Sequence, residues 1–311
     1  MAELLLLRRK PRAVVFAALR RALIGAVICG AIVATAAGCA SKPDPESTRA
    51  DLSEVTEAPM APEEIDEYDA TLHPDPMVDA VDCTPYLVVT SRGTGEGASG
   101  QLLSPVVRMI AESRPDEVQT VDLDYPADAE VKIGATRGAR ILIDTLNVQA
   151  DACPEQRFIL LGYSQGALIV GDAIASPEVR LIGASVGELA PDAAERVLAV
   201  VLYGDPRFRG AESYDVGDFD PSVNGVLPRP AGSLDAFADR LRDYCVSGDI
   251  VCQSGFDLDE SGHVAYYSNG MQQDGAAFVI TRLGPPESAE DDAAPSKGRT
   301  PVGGAEPDES D

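Results

Sequence analysis

The chain has 311 residues, 45% of them hydrophobic, which suffices for one sizeable core or at most two small ones. A single domain with tails is the simpler interpretation. The formal net charge of −26 argues against nucleic acid and anionic lipid surfaces as binding partners. The sequence has no Cys-x-x-Cys pair and only two histidines, far apart, which argues against a structural zinc site.

The N-terminal segment, residues 1–38, has the order of charge and hydropathy that is typical of a secretory signal peptide. Six basic residues stand against Glu3 alone, and they precede an apolar run over residues 22–37. The run is short for a membrane span and polar sequence soon follows it, although a stable uncleaved anchor is the alternative. We therefore expect the protein to be exported.

A cysteine preceded by small residues closes this segment, in the order Ala36-Ala37-Gly38-Cys39. This order resembles a bacterial lipoprotein processing site. Cys39 is therefore predicted to carry a lipid that associates the protein with the outer face of the cell membrane. Ordinary cleavage near these alanines, which would leave a secreted protein with an incidental thiol at Cys39, is the alternative.

Two acidic segments flank the predicted domain, which spans residues 78–284. Residues 39–77 are rich in Pro, Glu, Asp and Ser, and residues 285–311 repeat that composition. Both segments are predicted to be solvated and flexible, the first as a stalk and the second as a tail.

The domain alternates short apolar runs with longer segments of helical spacing. Strands are predicted at residues 86–90, 118–123, 158–161 and 197–203. Helices are predicted at residues 101–112, 128–149, 165–174, 191–196 and 270–282. This alternation predicts an α/β fold in which helices cover both faces of a parallel sheet. Ligands bind such sheets just beyond the carboxyl ends of the strands.

A Gly-x-Ser-x-Gly pentapeptide, residues 162–166, lies between an apolar predicted strand and an apolar predicted helix. A serine nucleophile on a sharp strand-to-helix turn needs glycines at these flanking positions, because larger residues would collide. Ser164 is therefore the predicted nucleophile, and the backbone N–H of Gln165 at the helix N-terminus is a predicted oxyanion donor. A tight turn whose serine merely caps the helix is the alternative.

A serine nucleophile needs a base, and the chain offers two histidines. His73 lies in the predicted stalk, so His263 is predicted to be the general base. The orienting carboxylate is expected between the serine and the histidine along the chain. Asp249 is favoured because it stands in a short loop, residues 245–252, between two cysteines, and Asp205 at a strand end is the rival.

Four cysteines fall within the predicted domain: Cys83, Cys153, Cys245 and Cys252. An even number in an oxidising compartment suggests two disulfides, although four cysteines allow three connectivities. Proximity in the sequence favours Cys245 with Cys252, which leaves Cys83 with Cys153.

Several of these pieces together resemble the cutinase family, which includes bacterial cutinase-like esterases and acetylxylan esterases. The matching pieces cover about residues 80–282 and comprise residues 90–96, 162–166, 204–206, the cysteine-bracketed 245–252, and His263 with Tyr266. The resemblance implies a three-layer α/β-hydrolase fold with a central five-stranded parallel sheet. It also implies the disulfides Cys83–Cys153 and Cys245–Cys252 and no metal or organic cofactor.

The same resemblance implies a carboxylic ester hydrolase with a Ser-His-Asp triad and with Thr94 as a second oxyanion donor. We expect a monomer whose substrate is a lipid, polyester or short acyl ester. The acidic stretch at residues 257–260 departs from the more apolar loop expected just before the histidine, which leaves the acyl-chain preference open.

Two other classes of protein remain as alternatives. Residues 95–100 read Gly-x-Gly-x-x-Gly after a strand and before a helix, and Asp122 and Asp124 follow at the distance of a ribose-binding acid. This pattern is typical of a dinucleotide-binding oxidoreductase, although an exported protein has little access to that cofactor. The other class is a non-catalytic surface protein that keeps a hydrolase scaffold for binding.

Overall fold

One parallel sheet forms the centre of the fold in a computed structural model, which describes residues 66–98, 101–128, 130–254 and 261–285. Its six strands lie in the order β2-β1-β3-β4-β6-β5, and every neighbouring pair is parallel. The strands are β1 Tyr86–Ser91, β2 Val118–Asp122, β3 Arg157–Tyr163, β4 Val197–Tyr203, β5 Asp215–Val216 and β6 Leu241–Tyr244.

Helices cover both faces of this sheet. They are α1 Ser104–Ser113, α2 Val131–Ala152, α3 Gln165–Ile174, α4 Pro191–Arg196 and α5 Met271–Ile280. Buried residues of α1 and α5 pack on one face, and those of α2, α3 and α4 pack on the other. Short 3-10 helices add Pro177–Val179, Asp235–Arg240 and Ala265–Tyr267. The predicted three-layer α/β architecture is confirmed.

The strands β1, β3 and β4 are mainly apolar because both of their faces are covered. In β3, Phe158 and Leu160 belong to the core on the α2 and α3 side, whereas Ile159 and Leu161 belong to the core on the α1 and α5 side. Successive side chains of a strand point to opposite faces, so a strand between two helical layers needs an unbroken apolar run. This is why the apolar runs of β1, β3 and β4 were recognisable as strands.

The expected count of five strands is wrong, because the sheet has six. The additional strand, β5, is two residues long and pairs with β6 at the edge of the sheet, Asp215 beside Asp243 and Val216 beside Tyr244. The pattern over residues 241–244, Leu-Arg-Asp-Tyr, carries two charged residues and no β-branched one. Its strand conformation comes from pairing with β4 and not from an apolar pattern.

The packed region begins before residue 78, where the sequence alone placed the domain boundary. The core buries Tyr68, and the guanidinium of Arg140 on α2 donates to the backbone carbonyls of His73 and Asp75, each at 2.9 Å. The carboxylate of Asp144 accepts the N–H of Met77 at 2.9 Å. Residues 66–77 therefore lie on the domain, and the predicted signal segment, Cys39 and residues 39–65 of the predicted stalk lie outside the described residues, as does the tail from residue 286 onward.

Both disulfides expected from the resemblance are present. Cys83, just before β1, is bonded to Cys153 at the end of α2, and Cys245 is bonded to Cys252 across the short loop that follows β6. Disulfides of this kind persist in oxidising compartments. Among the residues that the structure describes, no helix is long and apolar enough to cross a membrane.

A cluster of buried charged side chains links α3 to the ends of β4 and β6. It consists of Asp172, Asp205, Arg207, Arg229 and Asp243. One Arg207 nitrogen lies 2.6 Å from Asp172, and Arg229 is ion-paired with Asp205. Burial, and then the negative charge of Asp205, raise the pKa of Asp243 well above its usual value. Three carboxyl groups thus face two guanidinium groups, and the raised pKa of Asp243 favours its protonated form.

The substitution Asp243→Asn tests this protonation. When folding raises the pKa of a carboxyl group, that group contributes fully to the free energy of unfolding below about pH 4, the usual Asp pKa. The contribution is lost as the pH rises through the pKa of the group in the folded protein. We expect the free energy of unfolding to fall less in the variant than in the wild type between pH 4 and pH 7, by up to about 1.4 kcal/mol for each unit of raised pKa.

Urea titrations at several pH values within that range measure this difference. Burial also raises the pKa of Asp215, to about 6, and both proteins retain this neighbouring carboxyl group. Asp151→Asn, at an exposed position, controls for the change in net charge. Parallel pH dependence of the wild type and Asp243→Asn would show that Asp243 is ionised in the folded protein.

Candidate active site

Ser164 stands on the sharp turn between β3 and α3. Its backbone has φ 53° and ψ −119°, a conformation that non-glycine residues rarely adopt. A side chain on Gly162 would lie 2.7 Å from the carbonyl oxygen of Gly166, and one on Gly166 would overlap the carbonyl oxygen of Ser91. The two glycines of the pentapeptide are therefore required by close backbone approach, and the turn presents the serine at the carboxyl edge of the sheet.

The structure brings Ser164, His263 and Asp249 together. The Nε2 atom of His263 lies 2.9 Å from Ser164 Oγ, and its Nδ1 atom lies 3.0 Å and 3.1 Å from the two carboxylate oxygens of Asp249. A hydroxyl, an imidazole and a carboxylate in this order are the arrangement that activates a serine nucleophile.

The rival residues lie elsewhere. Asp205 accepts the backbone N–H of Arg207 at 2.8 Å and is ion-paired with Arg229, so its carboxylate belongs to the buried charge cluster. His73 lies on the N-terminal segment, where Arg140 binds its carbonyl oxygen.

The carboxylate of Asp249 is fully buried and accepts several hydrogen bonds. Besides the imidazole, the Tyr266 hydroxyl donates to it at 2.7 Å and the backbone N–H of Val251 at 2.8 Å. Burial opposes ionisation, but the charge and hydrogen bond of His263, followed by the bonds from Tyr266 and Val251, outweigh it and hold the pKa of Asp249 below its usual value. The carboxylate is therefore ionised, and the Cys245–Cys252 disulfide closes the loop that carries it.

The ring of His263 is supported from two sides. The Tyr163 ring stacks on it with centroids 5.1 Å apart, and the Tyr163 hydroxyl donates to the His263 carbonyl at 2.9 Å. Gly204, at φ 58°, lies so close that a side chain there would come within 2.8 Å of the imidazole. Tyr163 had no predicted role, because its position between the glycine and the serine does not indicate which ring it would contact.

The start of α3 and the turn that carries Thr94 meet beside Ser164. Hydrogen-bond donors are needed there if negative charge develops on the carbonyl oxygen of a bound ester. The N–H of Gln165 is the first of α3 and is one of those that have no partner within a helix. The hydroxyl of Thr94 donates to the side-chain oxygen of Gln165 at 3.0 Å. A side chain on Gly93 would come within 3.3 Å of Ser164 Cβ, so the turn that carries Thr94 passes directly against the serine.

The family model described as Cutinase matches residues 82–283, a range that includes all of these site residues. The chain belongs to the cutinase family. It is 34% identical over 203 residues to a cutinase of Kineococcus radiotolerans, a match covering 64% of this chain and 62% of that relative. It is also 28% identical over 206 residues to acetylxylan esterase 2 of Talaromyces purpureogenus, a match covering 63% of this chain and 83% of the esterase.

A solved structure of an acetyl xylan esterase has the same fold. It superimposes with a TM-score of 0.58 at 27% sequence identity, and the match covers 65% of this chain and all of the esterase. This cutinase-family chain therefore has an α/β-hydrolase fold and belongs to a family of carboxylic ester hydrolases.

In the described part of the glycine-rich run, residues 95–98, an acidic side chain organises the turn. Glu96 accepts the backbone N–H of Gly93 and that of Leu102, each at 2.7 Å. Asp122, a candidate ribose-binding acid, accepts the Thr90 hydroxyl instead. The last two residues of the run, and the acidic stretch at residues 257–260, lie outside the described residues. These contacts shape the turn beside the serine in this cutinase-family fold.

No group of three or more His, Cys, Asp or Glu side chains in the described part of the chain could hold a metal ion. The lone histidine of the site is instead engaged on both ring nitrogens, by Ser164 and by Asp249.

The substitution Tyr266→Phe tests how the buried carboxylate is held. It removes the hydroxyl that donates to Asp249 and leaves the ring, so we expect a loss of about 1.5–3 kcal/mol in the free energy of unfolding at pH 7. A lowered carboxyl pKa stabilises the folded state above about pH 4, and that stabilisation is lost as the pH falls through the folded value. The cost of the substitution should therefore shrink on acidification.

Urea titrations at pH 7 and near pH 3 measure that change. Tyr203→Phe is the matched control, because the Tyr203 hydroxyl is also buried but donates to a neutral acceptor, the Met271 carbonyl, at 3.2 Å. A cost of Tyr266→Phe that is larger near pH 3 than at pH 7 would contradict an ionised Asp249.

Proposed function

We propose that the protein is an exported serine ester hydrolase in which Ser164 is the nucleophile, His263 the general base and Asp249 the residue that orients the histidine. The observation that carries the proposal is the unbroken line of contacts from Ser164 Oγ to His263 Nε2 at 2.9 Å and from His263 Nδ1 to Asp249 at 3.0 Å. The family match and the names of the relatives support the same reaction class.

The first half of the reaction forms an acyl-enzyme. Ser164 Oγ attacks the ester carbonyl carbon while its proton passes to His263 Nε2, and the Asp249 carboxylate accepts a hydrogen bond from Nδ1–H and stabilises the imidazolium without taking its proton. When the tetrahedral intermediate collapses, the bond from carbon to the alcohol oxygen breaks. His263 returns the proton to the leaving alcohol.

The second half releases the acid. Water gives its proton to His263 and attacks the acyl carbon, and the bond to Ser164 Oγ breaks as the serine recovers its proton. In both halves the carbonyl oxygen becomes negative. The backbone N–H of Gln165 would donate to this oxygen, and Thr94, which lies beside Gln165, would be the second donor. The hydrogen bond between Thr94 and the Gln165 side chain ties the two donors together.

The location and the substrate class follow from other features of the chain. Its disulfides are consistent with an oxidising compartment, and the signal-like segment with Cys39 supports a lipoprotein held at the outer face of the cell membrane. We propose a monomer that hydrolyses a lipid, polyester or short acyl ester. Because one relative is named for acetylxylan, short acyl esters are the first substrates to test in a chain-length series.

A fluorophosphonate probe tests the nucleophile. The wild-type protein should be labelled once, and Ser164→Ala should lose the label together with more than about 1000-fold of the esterase activity. Ser176→Ala, at an exposed serine, should behave as the wild type. Labelling that persists in Ser164→Ala would assign the nucleophile to another residue, and a wild type that never reacts would favour a non-catalytic scaffold.

A pair of aspartate substitutions tests the orienting carboxylate. Asp249→Asn should lower kcat by about 10,000-fold, because the amide no longer selects the imidazole tautomer that accepts the serine proton. Asp205→Asn breaks a buried ion pair, so it should cost about 3–5 kcal/mol of stability while the folded fraction keeps its activity. Rates are normalised to the number of sites that react with the probe. The reverse outcome, loss in Asp205→Asn alone, would assign the role to Asp205.

A further inference from the structure

The carboxylate of Glu96 gathers three donors from three separate parts of the chain. One oxygen accepts the N–H of Gly93 at 2.7 Å, and the other accepts the N–H of Leu102 at 2.7 Å and the hydroxyl of Tyr267 at 2.6 Å. Gly93 belongs to the turn after β1, Leu102 lies just before α1, and Tyr267 is in the 3-10 helix that follows His263. Glu96 and Tyr267 take no part in the proton transfers of the proposed reaction.

The bond from Tyr267 to Glu96 joins the two sides of the site. Glu96 lies two residues after Thr94, and Tyr267 lies four residues after His263. The segment that carries the second oxyanion donor is thereby connected through one hydrogen bond to the segment that carries the base. A tyrosine hydroxyl donating to a carboxylate is a charge-assisted bond, which is shorter and stronger than one between neutral groups.

Contacts between aromatic rings provide a second link between Tyr267 and the residues beside Ser164. The Tyr267 ring meets the Tyr163 ring edge-on, with centroids 6.3 Å apart, and Tyr163 in turn stacks on His263. A side chain on Gly93 would come within 2.7 Å of Tyr163. The contacts therefore form a closed circuit beside Ser164, from Gly93 to Tyr163, to Tyr267, to Glu96 and back to Gly93.

The turn needs such support because it has no regular structure of its own. The described residues between β1 and α1 belong to no strand or helix. The far side of the turn is held by Arg92, whose guanidinium donates to the carbonyl of Leu123 at 2.9 Å, and by the N–H of Gly95, which donates to Ala127 at 2.7 Å. Those bonds hold the turn to the chain after β2. Among the described residues, the Tyr267 hydroxyl is the donor that connects the Glu96 carboxylate to the segment that carries His263.

Tyr267 gains little from burial. Its side chain is 47% exposed, one of the few large hydrophobic side chains on the described surface, so core packing does not account for its position. Its hydroxyl, in contrast, makes a short bond to a carboxylate. The hydrogen bond to Glu96, more than burial, therefore holds the Tyr267 side chain in its position.

We propose that Glu96 and Tyr267 are positioning residues that hold the oxyanion turn in place before the substrate binds. This inference rests on the proposed ester hydrolysis and adds two residues that do not touch the reacting atoms. Donors stabilise a developing oxyanion only if they are fixed where the charge will form, because moving them during the reaction costs part of the gain. Loosening the turn should therefore weaken binding of the transition state and leave binding of the ester ground state almost unchanged.

Tyr267→Phe is the decisive variant, since it removes the hydroxyl and keeps the exposed ring. We expect kcat for a soluble p-nitrophenyl ester to fall about tenfold, less than the 100- to 1000-fold cost of deleting an oxyanion donor outright. KM should stay within about twofold. Glu96→Gln, which keeps the shape of the side chain but removes its charge and one acceptor oxygen, should lower kcat further, again with little change in KM.

A boronic acid separates positioning from a general loss of structure. Its boron bonds to the serine Oγ and becomes tetrahedral and negatively charged, as the transition state does. Its inhibition constant should rise by the same factor by which kcat/KM falls in Tyr267→Phe and in Glu96→Gln. Thermal unfolding of each variant establishes that the domain is folded during the assay.

Tyr244→Phe is the matched control. The Tyr244 hydroxyl also donates to a carboxylate at 2.6 Å, that of Asp274, but this bond joins the end of β6 to α5 and touches no residue of the turn. It should affect stability alone. If Tyr267→Phe lowers kcat no more than Tyr244→Phe does, or if the boronic acid constant stays unchanged while kcat falls, the positioning role is wrong.

Failure of this inference is distinct from failure of the proposed function. A wild type that reacts with the fluorophosphonate at Ser164 and hydrolyses esters, together with a fully active Tyr267→Phe, overturns the positioning role alone. A wild type that neither reacts nor hydrolyses esters overturns the proposed function and this inference with it.

Discussion

The carboxyl ends of four neighbouring strands lie level with one another, and the arrangement of the site depends on this register. The ladder pairs Ser91 with Gly162, and Tyr163 with Tyr203, which is paired in turn with Tyr244. The segments that follow β1, β3, β4 and β6 therefore start at one edge of the sheet. Every group of the candidate site lies on one of those segments or on a loop packed against them.

Two buried aspartates follow strands at this edge, and their partners distinguish them. Asp205 is neutralised by the guanidinium of Arg229, so its charge stabilises the core and is not available to an imidazole. The charge and hydrogen bond of His263, followed by hydrogen bonds from the Tyr266 hydroxyl and the backbone N–H of Val251, keep Asp249 ionised. A carboxylate in that condition can stabilise an imidazolium when one forms, as the proposed reaction requires.

Aromatic rings form the support around the histidine. Tyr163 stacks on the imidazole, Tyr266 packs edge-on against Tyr163, and Tyr267 adds a third ring and a polar link to Glu96. Rings with hydroxyl groups suit this place because they fill space rigidly and still satisfy the polar atoms that burial leaves next to them. The support is thus built before any substrate arrives, in agreement with the need for a preorganised site.

The amino-acid sequence by itself determined the features that depend on neighbours in the chain. The bounds of α3 and α4 agree with the predicted helices, and the glycines around Ser164 are explained by backbone contacts within a few residues and with β1. Only the tertiary structure decided that Asp249 and not Asp205 contacts His263, that a two-residue strand completes the sheet, and that Tyr267 reaches Glu96. Those contacts join residues far apart in the chain, so no local pattern of hydropathy or propensity contains them.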